Sequence, residues 1–129
     1  MADKIAEILL NLNAVILRTK PPFRLVSGLL SPIYADHRLL MGYPKESEFI
    51  VNSLLRLIKK NKLQFDGLAA TATAGIPWAA WLALKLKKPM VYVKAGKKDH
   101  GMENIVEGKM ENGKTYLVVE DMVTTGGSS

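Results

Sequence analysis

Residues 116–119, Tyr-Leu-Val-Val, form a short apolar run of the length of a buried strand, and two carboxylates follow at once, Glu120 and Asp121. Beyond them come Thr124, Thr125, Gly126, Gly127, Ser128 and Ser129. A strand that ends in acids and then in a small-residue loop belongs at the carboxyl edge of an open α/β sheet, where ligands sit. Glycines let the backbone approach a ligand closely, and small hydroxyl residues leave the amides uncovered. A helix after the loop would add its first N–H groups to an anion cradle. The carboxylates cannot hold a phosphate, but they can accept hydrogen bonds from sugar hydroxyls. Two readings stay open on spacing alone: a ribose-phosphate site, or an ordinary strand-to-helix turn with a surface acid pair.

The rest of the chain alternates in a way that suits such a sheet. Ile5, Ile8, Leu9, Leu12, Val15 and Ile16 recur at helical spacing and predict a helix over residues 2–18, ended by Lys20-Pro21-Pro22. Residues 23–26 are a short strand candidate. Ser27-Gly28 and Ser31-Pro32 are breaks. Residues 33–40 read as a further strand, with Tyr34, Asp36 and Arg38 on one side by alternation. This punctuated region is either a β-hairpin cap or a lid that presents Tyr34 or Arg38 to a ligand. Pro44 fits the first turn of a second helix ending near Asn61. A strand over 65–71 follows, then a second small-residue loop, Thr71 to Gly75. A third helix covers 76–86, with Pro77 in its first turn and Trp78 and Trp81 on one face as packing or interface residues rather than a binding box. Residues 89–93 and 114–119 are further strands. Between them, 94–108 shows neither period and carries Gly96, Gly101 and Gly108; so long a structureless loop in a compact domain is usually functional or disordered. Strands alternating with helices predict an α/β fold, a parallel sheet flanked by helices. Both small-residue loops would lie at one carboxyl edge, with the lysine-rich loop between them.

The chain of 129 residues suits a single domain, here with residues 1–42 as N-terminal helix and hood and 43–129 as α/β core. It has no cysteine, which excludes disulfides and thiolate metal sites. No apolar run reaches membrane-spanning length. Asp3, Lys4 and Glu7 interrupt the N-terminal apolar pattern, so it does not read as a signal peptide, and the expected location is the cytoplasm. The net charge of +6 is concentrated in Lys59, Lys60 and Lys62, in Lys85, Lys87 and Lys88, and in Lys94, Lys97 and Lys98. No aromatic residues interleave with these lysines, so stacking on nucleic-acid bases is unsupported. The first two groups fall at predicted helix ends, where cations suit the macrodipole. The third remains for a polyanionic small substrate.

Four motifs in order resemble those of the orotate phosphoribosyltransferases, members of the type I phosphoribosyltransferase family. The stretch Glu120, Asp121, Met122, Val123, Thr124, Thr125, Gly126, Gly127, Ser128 resembles the family's signature for binding phosphoribosyl pyrophosphate. Ser27-Gly-x-x-Ser-Pro-x-Tyr34-x-Asp36-x-Arg38 resembles the hood of the orotate enzymes, and Ala72-Thr-Ala-Gly-Ile-Pro77 a pyrophosphate loop. Lys94-x-x-x-Lys98-x-His100-Gly101 resembles their catalytic loop, which reaches into the neighbouring subunit's site. The match runs from Phe23 to the last residue. It departs in Lys94, where the family usually has Arg, so charge is kept but bidentate phosphate binding is lost. It departs also in length: family chains continue past the phosphate loop, and the resemblance implies a C-terminal part missing from these 129 residues.

The resemblance implies transfer of ribose 5-phosphate from 5-phosphoribosyl 1-pyrophosphate to orotate, giving orotidine 5′-monophosphate in pyrimidine biosynthesis. Lys98, His100 and Lys94 would be catalytic, neutralising the leaving pyrophosphate, with His100 as proton donor. Glu120 and Asp121 would hold the ribose hydroxyls and residues 124–128 the 5′-phosphate. Backbone amides of Thr73, Ala74 and Gly75 would meet pyrophosphate, and Tyr34 would belong to the hood. Magnesium would ride on the pyrophosphate rather than in a protein cage, and the family is homodimeric. Neither a nucleic-acid nor a membrane partner is expected. Two alternatives stay in view: a phosphoribosyltransferase acting on a purine base, and a non-catalytic regulator that senses phosphoribosyl pyrophosphate.

Overall fold

The computed structural model describes residues 2–25, 27–94 and 105–123. It divides into two compact units, Met1–Ser53 and Leu54–Ser129, with the division inside the second helix.

In the first unit the chain opens with α1 (Ala2–Asn11), whose apolar positions Ile5, Ile8 and Leu9 are half-buried. The helix predicted over 2–18 is too long by its last two turns, and Val15 and Ile16 are strand residues instead. Asn13 takes a left-handed backbone, φ +54°, and closes the helix. Asparagine tolerates that conformation at a helix end better than most residues. Freed from the helix, Val15–Leu17 forms β1 and pairs antiparallel with β4 (Ile33–Ala35), Ile16 opposite Tyr34. β-Branched residues favour this pleated pairing over helix. A second two-stranded ribbon joins β2 (Phe23–Arg24) to β3 (Leu30–Ser31), and Ser31 Oγ closes the break at Pro32 by donating to the Ile33 carbonyl at 2.8 Å.

The strand predicted over 33–40 ends at Ala35, so Asp36 and Arg38 do not alternate with Tyr34 along it. Asp36 instead accepts from the Arg38 amide at 3.2 Å and caps a 3₁₀ turn, His37–Gly42. Leu40 is the buried anchor of that turn. Pro44 then opens α2 (Pro44–Lys60) as its first helical residue, and the Ser47 hydroxyl donates to the Leu40 carbonyl at 2.6 Å. Lys59 and Lys60 occupy the last turn of α2, the position that suits cations.

The second unit is built on a four-stranded sheet in the order β7-β6-β5-β8. β5 (Gly67–Thr71) lies between β6 (Met90–Lys94) and β8 (Tyr116–Val119) and runs parallel to both. Connecting parallel strands needs a crossover, and α3 (Gly75–Leu86) supplies it between β5 and β6. α3 packs across β5, β6 and β8. Leu68, Ala70, Val91 and Val119 from the sheet and Ala79 and Leu82 from the helix form the core, each nearly sealed from solvent. The sheet is not wholly parallel. β7 (Ile105–Glu107) falls in the stretch read as structureless and adds an antiparallel edge beside β6. Three residues are too few for a period to show. Trp78 and Trp81 meet edge to face with ring centroids 5.2 Å apart, as packing residues do. Lys87 closes α3 in the left-handed conformation, φ 53°, its N–H directed at the carbonyls of Ala83 and Leu84.

Candidate active site

Parallel pairing decides what the carboxyl edge of the second unit presents. Ala70 of β5 stands in register with Val119 of β8, and Thr71 with Val93 of β6. The residues that follow β5 and those that follow β8 therefore leave the sheet side by side, and Lys94 ends β6 on the other flank. Three of the stretches singled out in the sequence come together here: Thr73, Ala74 and Gly75; Glu120 through Val123; and Lys94. Loops at the carboxyl ends of adjacent parallel strands are where an α/β sheet binds its ligand.

The loop after β5 is held by its backbone. The Ala72 amide continues the ladder to the Val93 carbonyl at 2.9 Å, and the peptide between Ala72 and Thr73 is cis. Ala74 caps α3 without any side-chain hydrogen bond. Gly75 is buried, and a Cβ there would stand 2.6 Å from the Val119 carbonyl oxygen and 3.0 Å from Thr71 Oγ1. Only glycine allows this approach of helix to strand.

Across the edge, Glu120 and Asp121 are half-buried, and Glu120 Oε1 accepts from the Asp121 amide at 3.1 Å. Met122 and Val123 are exposed. On β6, Lys94 Nζ donates to Glu107 Oε1 at 3.0 Å and lies 5.7 Å from the Tyr92 ring centroid. The hydrogen bond that Lys94 donates to Glu107, and then the charge of Glu107, hold the Lys94 pKa above the usual lysine value. Glu107 was not singled out in the sequence. The signal that could have found it is the β-branched pair Ile105-Val106 just before it, with Gly108, φ +106°, as a stop.

Tyr34 belongs to the first unit. It is half-exposed on β4, its ring 5.5 Å from that of Phe23, over which the Arg18 guanidinium sits at 4.1 Å. Arg38 donates to both oxygens of Asp36, at 2.6 and 2.9 Å, and this fork holds the Asp36 carboxyl below its usual pKa. Lys98 and His100, and Thr124, Thr125, Gly126, Gly127 and Ser128, lie outside the described residues.

Helix-covered parallel strands, with a small-residue loop after one strand and an acid pair after its neighbour at the same carboxyl edge, fit the architecture of type I phosphoribosyltransferases. The profile of the phosphoribosyl transferase domain matches residues 43–128, and the chain belongs to that family. Its relatives narrow the comparison. The orotate phosphoribosyltransferase of Coxiella burnetii is 50% identical over 128 residues, which are 99% of this chain and 61% of that protein. That of Listeria innocua is 48% identical over 126 residues, 98% of this chain and 60% of the other. Among solved structures, orotate phosphoribosyltransferase from Aeropyrum pernix matches with a TM-score of 0.68 at 35% identity, over 80% of this chain and 56% of that one. The chain spans about three-fifths of the length of the curated relatives it matches.

Proposed function

We propose that this chain carries the phosphoribosyl-donor site of an orotate phosphoribosyltransferase and serves pyrimidine nucleotide synthesis. The observation that supports it best is the parallel register of β5 with β8, which sets the Thr73–Gly75 backbone beside Glu120 and Asp121. An anion on the first loop and a sugar on the acids would then be one molecule. The single-domain organisation, with residues 1–42 as hood and 43–129 as core, belongs to the same reading.

The reaction exchanges one bond at the anomeric carbon of the donor. The C1′–O bond to pyrophosphate breaks, the C1′–N1 bond to orotate forms, and the N1 proton of orotate leaves to solvent or pyrophosphate. Positive charge grows on the ribose as negative charge grows on the leaving group. No covalent nucleophile is required, so positioning and electrostatics do the work. Glu120 and Asp121 accept from the 2′- and 3′-hydroxyls and fix the ring. Residues 124–128 cradle the 5′-phosphate. The amides of Thr73, Ala74 and Gly75 face the pyrophosphate, and the Ala74 side chain does not compete for them by hydrogen bonding. Lys94, Lys98 and His100 neutralise the departing charge, His100 by giving a proton to a pyrophosphate oxygen. Tyr34 contributes to the hood over the base.

The carboxylates at the strand end are hard oxygen donors, one of them engaged by the Asp121 amide. In this reading they accept from the ribose and are not metal ligands, and magnesium would be carried with its waters on the pyrophosphate rather than in a protein cage. When bound, it supplies further neutralisation of the leaving group. Among the described residues no helix is long and apolar enough to cross a membrane, and a biosynthetic enzyme of this kind works in the cytoplasm. A homodimer follows from the same reading, because the family's catalytic loop acts in the partner's site.

The test is a turnover assay with phosphoribosyl pyrophosphate and orotate, hypoxanthine or adenine, run on the full gene product and on residues 1–129. Orotidine 5′-monophosphate formation by the full product is expected. Transfer to a purine but not to orotate would overturn the assignment, and donor binding without any transfer would favour a sensing role.

A further inference from the structure

Thr71 and Gly75 lie among the donor-site residues without a part in the mechanism that requires their side chains. Thr71 is the last residue of β5 and is buried, 8% exposed. Its hydroxyl donates to the Val119 carbonyl at 3.4 Å, across 48 residues of sequence. Val119 is the last residue of β8, and the next residue is Glu120. The space that a Cβ of Gly75 would fill is bounded by that same Val119 carbonyl, by Thr71 Oγ1 and, at 3.5 Å, by the Glu120 Cα. The first turn of α3, the end of β5 and the end of β8 thus meet at a single carbonyl group.

We infer that Thr71 and Gly75 are positioning residues that set where Glu120 stands. The inference rests on the donor-site reading proposed above. The Val119 carbonyl belongs to the peptide that leads into Glu120. Rotation of that peptide carries the Glu120 Cα with it and swings the carboxylate off the ribose hydroxyls. Thr71 holds the carbonyl from the β5 side, and the missing side chain of Gly75 lets α3 close on it from the other. The geometry also separates two demands on Gly75. Its smallness is required by the Val119 carbonyl, which is protein, and not only by the ligand on its amide. Displacements of about 1 Å at such a site cost about 100-fold in rate, so a lock on the backbone one residue from the carboxylate has functional weight.

The experiment is steady-state kinetics on the full gene product with Thr71→Val, which keeps the shape and removes the donor, and Thr71→Ser, which keeps the donor. Thr71→Val should raise the KM for phosphoribosyl pyrophosphate about 3- to 10-fold, the scale of one net hydrogen bond. The KM for orotate should change less than about twofold, and Thr71→Ser should restore the donor KM. Gly75→Ala should raise the donor KM about 10- to 100-fold. The decisive readout is the Glu120→Gln background. If Thr71 acts through Glu120, the Thr71→Val penalty largely disappears there, because coupled residues do not add. A donor KM unmoved by Thr71→Val, or an equal penalty in both backgrounds, overturns the inference. If Thr71→Val does not fold, Thr71→Ser against Thr71→Ala makes the same comparison. An unmodified gene product that neither binds phosphoribosyl pyrophosphate nor transfers from it overturns the donor-site reading itself, whereas normal transfer with indifferent Thr71 variants overturns only the positioning role.

Discussion

Lys94 Nζ donates to Glu107 Oε1 at 3.0 Å, joining the end of β6 to the antiparallel edge strand β7. The pair is half-exposed on both sides. It therefore orients a cation at the carboxyl edge more than it stabilises the fold. A carboxylate partner supplies the orientation that a single ammonium lacks.

Glu107→Gln should bring the Lys94 pKa down toward the usual lysine value of 10.5. Because the folded value is raised, the pair's contribution is fully present below 10.5 and is lost as pH rises through the folded pKa. The stability difference between the two proteins should shrink at the alkaline end. A side-chain NMR titration of Lys94 checks the first point and melting curves above pH 10 the second. A Lys94 pKa unchanged by the substitution would remove Glu107 as its cause.

Asp36 gives the opposite sign. Arg38 lowers its pKa from 3.8, so the stabilisation is present above that value and is lost as pH falls through the lowered one. Asp36→Asn should flatten the acid limb of stability as pH falls below 3.8. Asp36→Ala also removes the cap of the 3₁₀ turn and should cost about 1 kcal/mol at neutral pH, read by urea denaturation.

Glu120→Gln and Asp121→Asn should each raise the KM for phosphoribosyl pyrophosphate by about 10- to 100-fold, since a hydrogen bond to a charged acceptor contributes about 1.5–3 kcal/mol. The KM for orotate should move far less. An equal loss for both substrates would place the acids elsewhere than on the ribose.

Lys98→Ala should lower kcat by about 100- to 1,000-fold with a smaller effect on donor binding, as for removal of a group aimed at charge that develops only in the transition state. His100→Asn should cost about 100-fold or more and flatten one limb of the pH–rate profile. Normal turnover in Lys98→Ala would take the catalytic role away from residues 94–101.

Leu68→Ala should destabilise the second unit by about 2–5 kcal/mol, because Leu68 is fully buried in the central strand. Val118→Ala, on the exposed face of β8, should fall within about 0.5 kcal/mol of the parent by the same denaturation assay.

The sequence carries the α/β core clearly. Pro44 is the first residue of α2 and Pro77 the third of α3, so each marks a helix start to within one turn. The small-residue loops after Thr71 and Val119 fall at strand ends because only strands stop there. What escaped has local causes. Val15 and Ile16 continue the apolar spacing of α1, and a spacing argument does not register that Asn13 turns the chain through positive φ. Asp36 reads as an alternating strand residue until its carboxylate is seen to cap the turn it begins. Of the candidate site, Thr73 to Gly75 and the acids Glu120 and Asp121 were legible as stretches that follow strands. The groups that hold them, Glu107 for Lys94 and Thr71 for the Val119 carbonyl, are paired across distances in sequence at which no spacing rule operates.

That separation has a kinetic side. The segments that follow β5 and β8 become neighbours only when those strands pair, and the Thr71 hydroxyl and Val119 carbonyl that meet there are 48 residues apart. Closing so large a loop is slow relative to forming α3 or its packing on β5. Affinity for the donor should therefore emerge late in refolding, after helical signal has been recovered, and a ligand that binds the finished edge will pull on that last step alone.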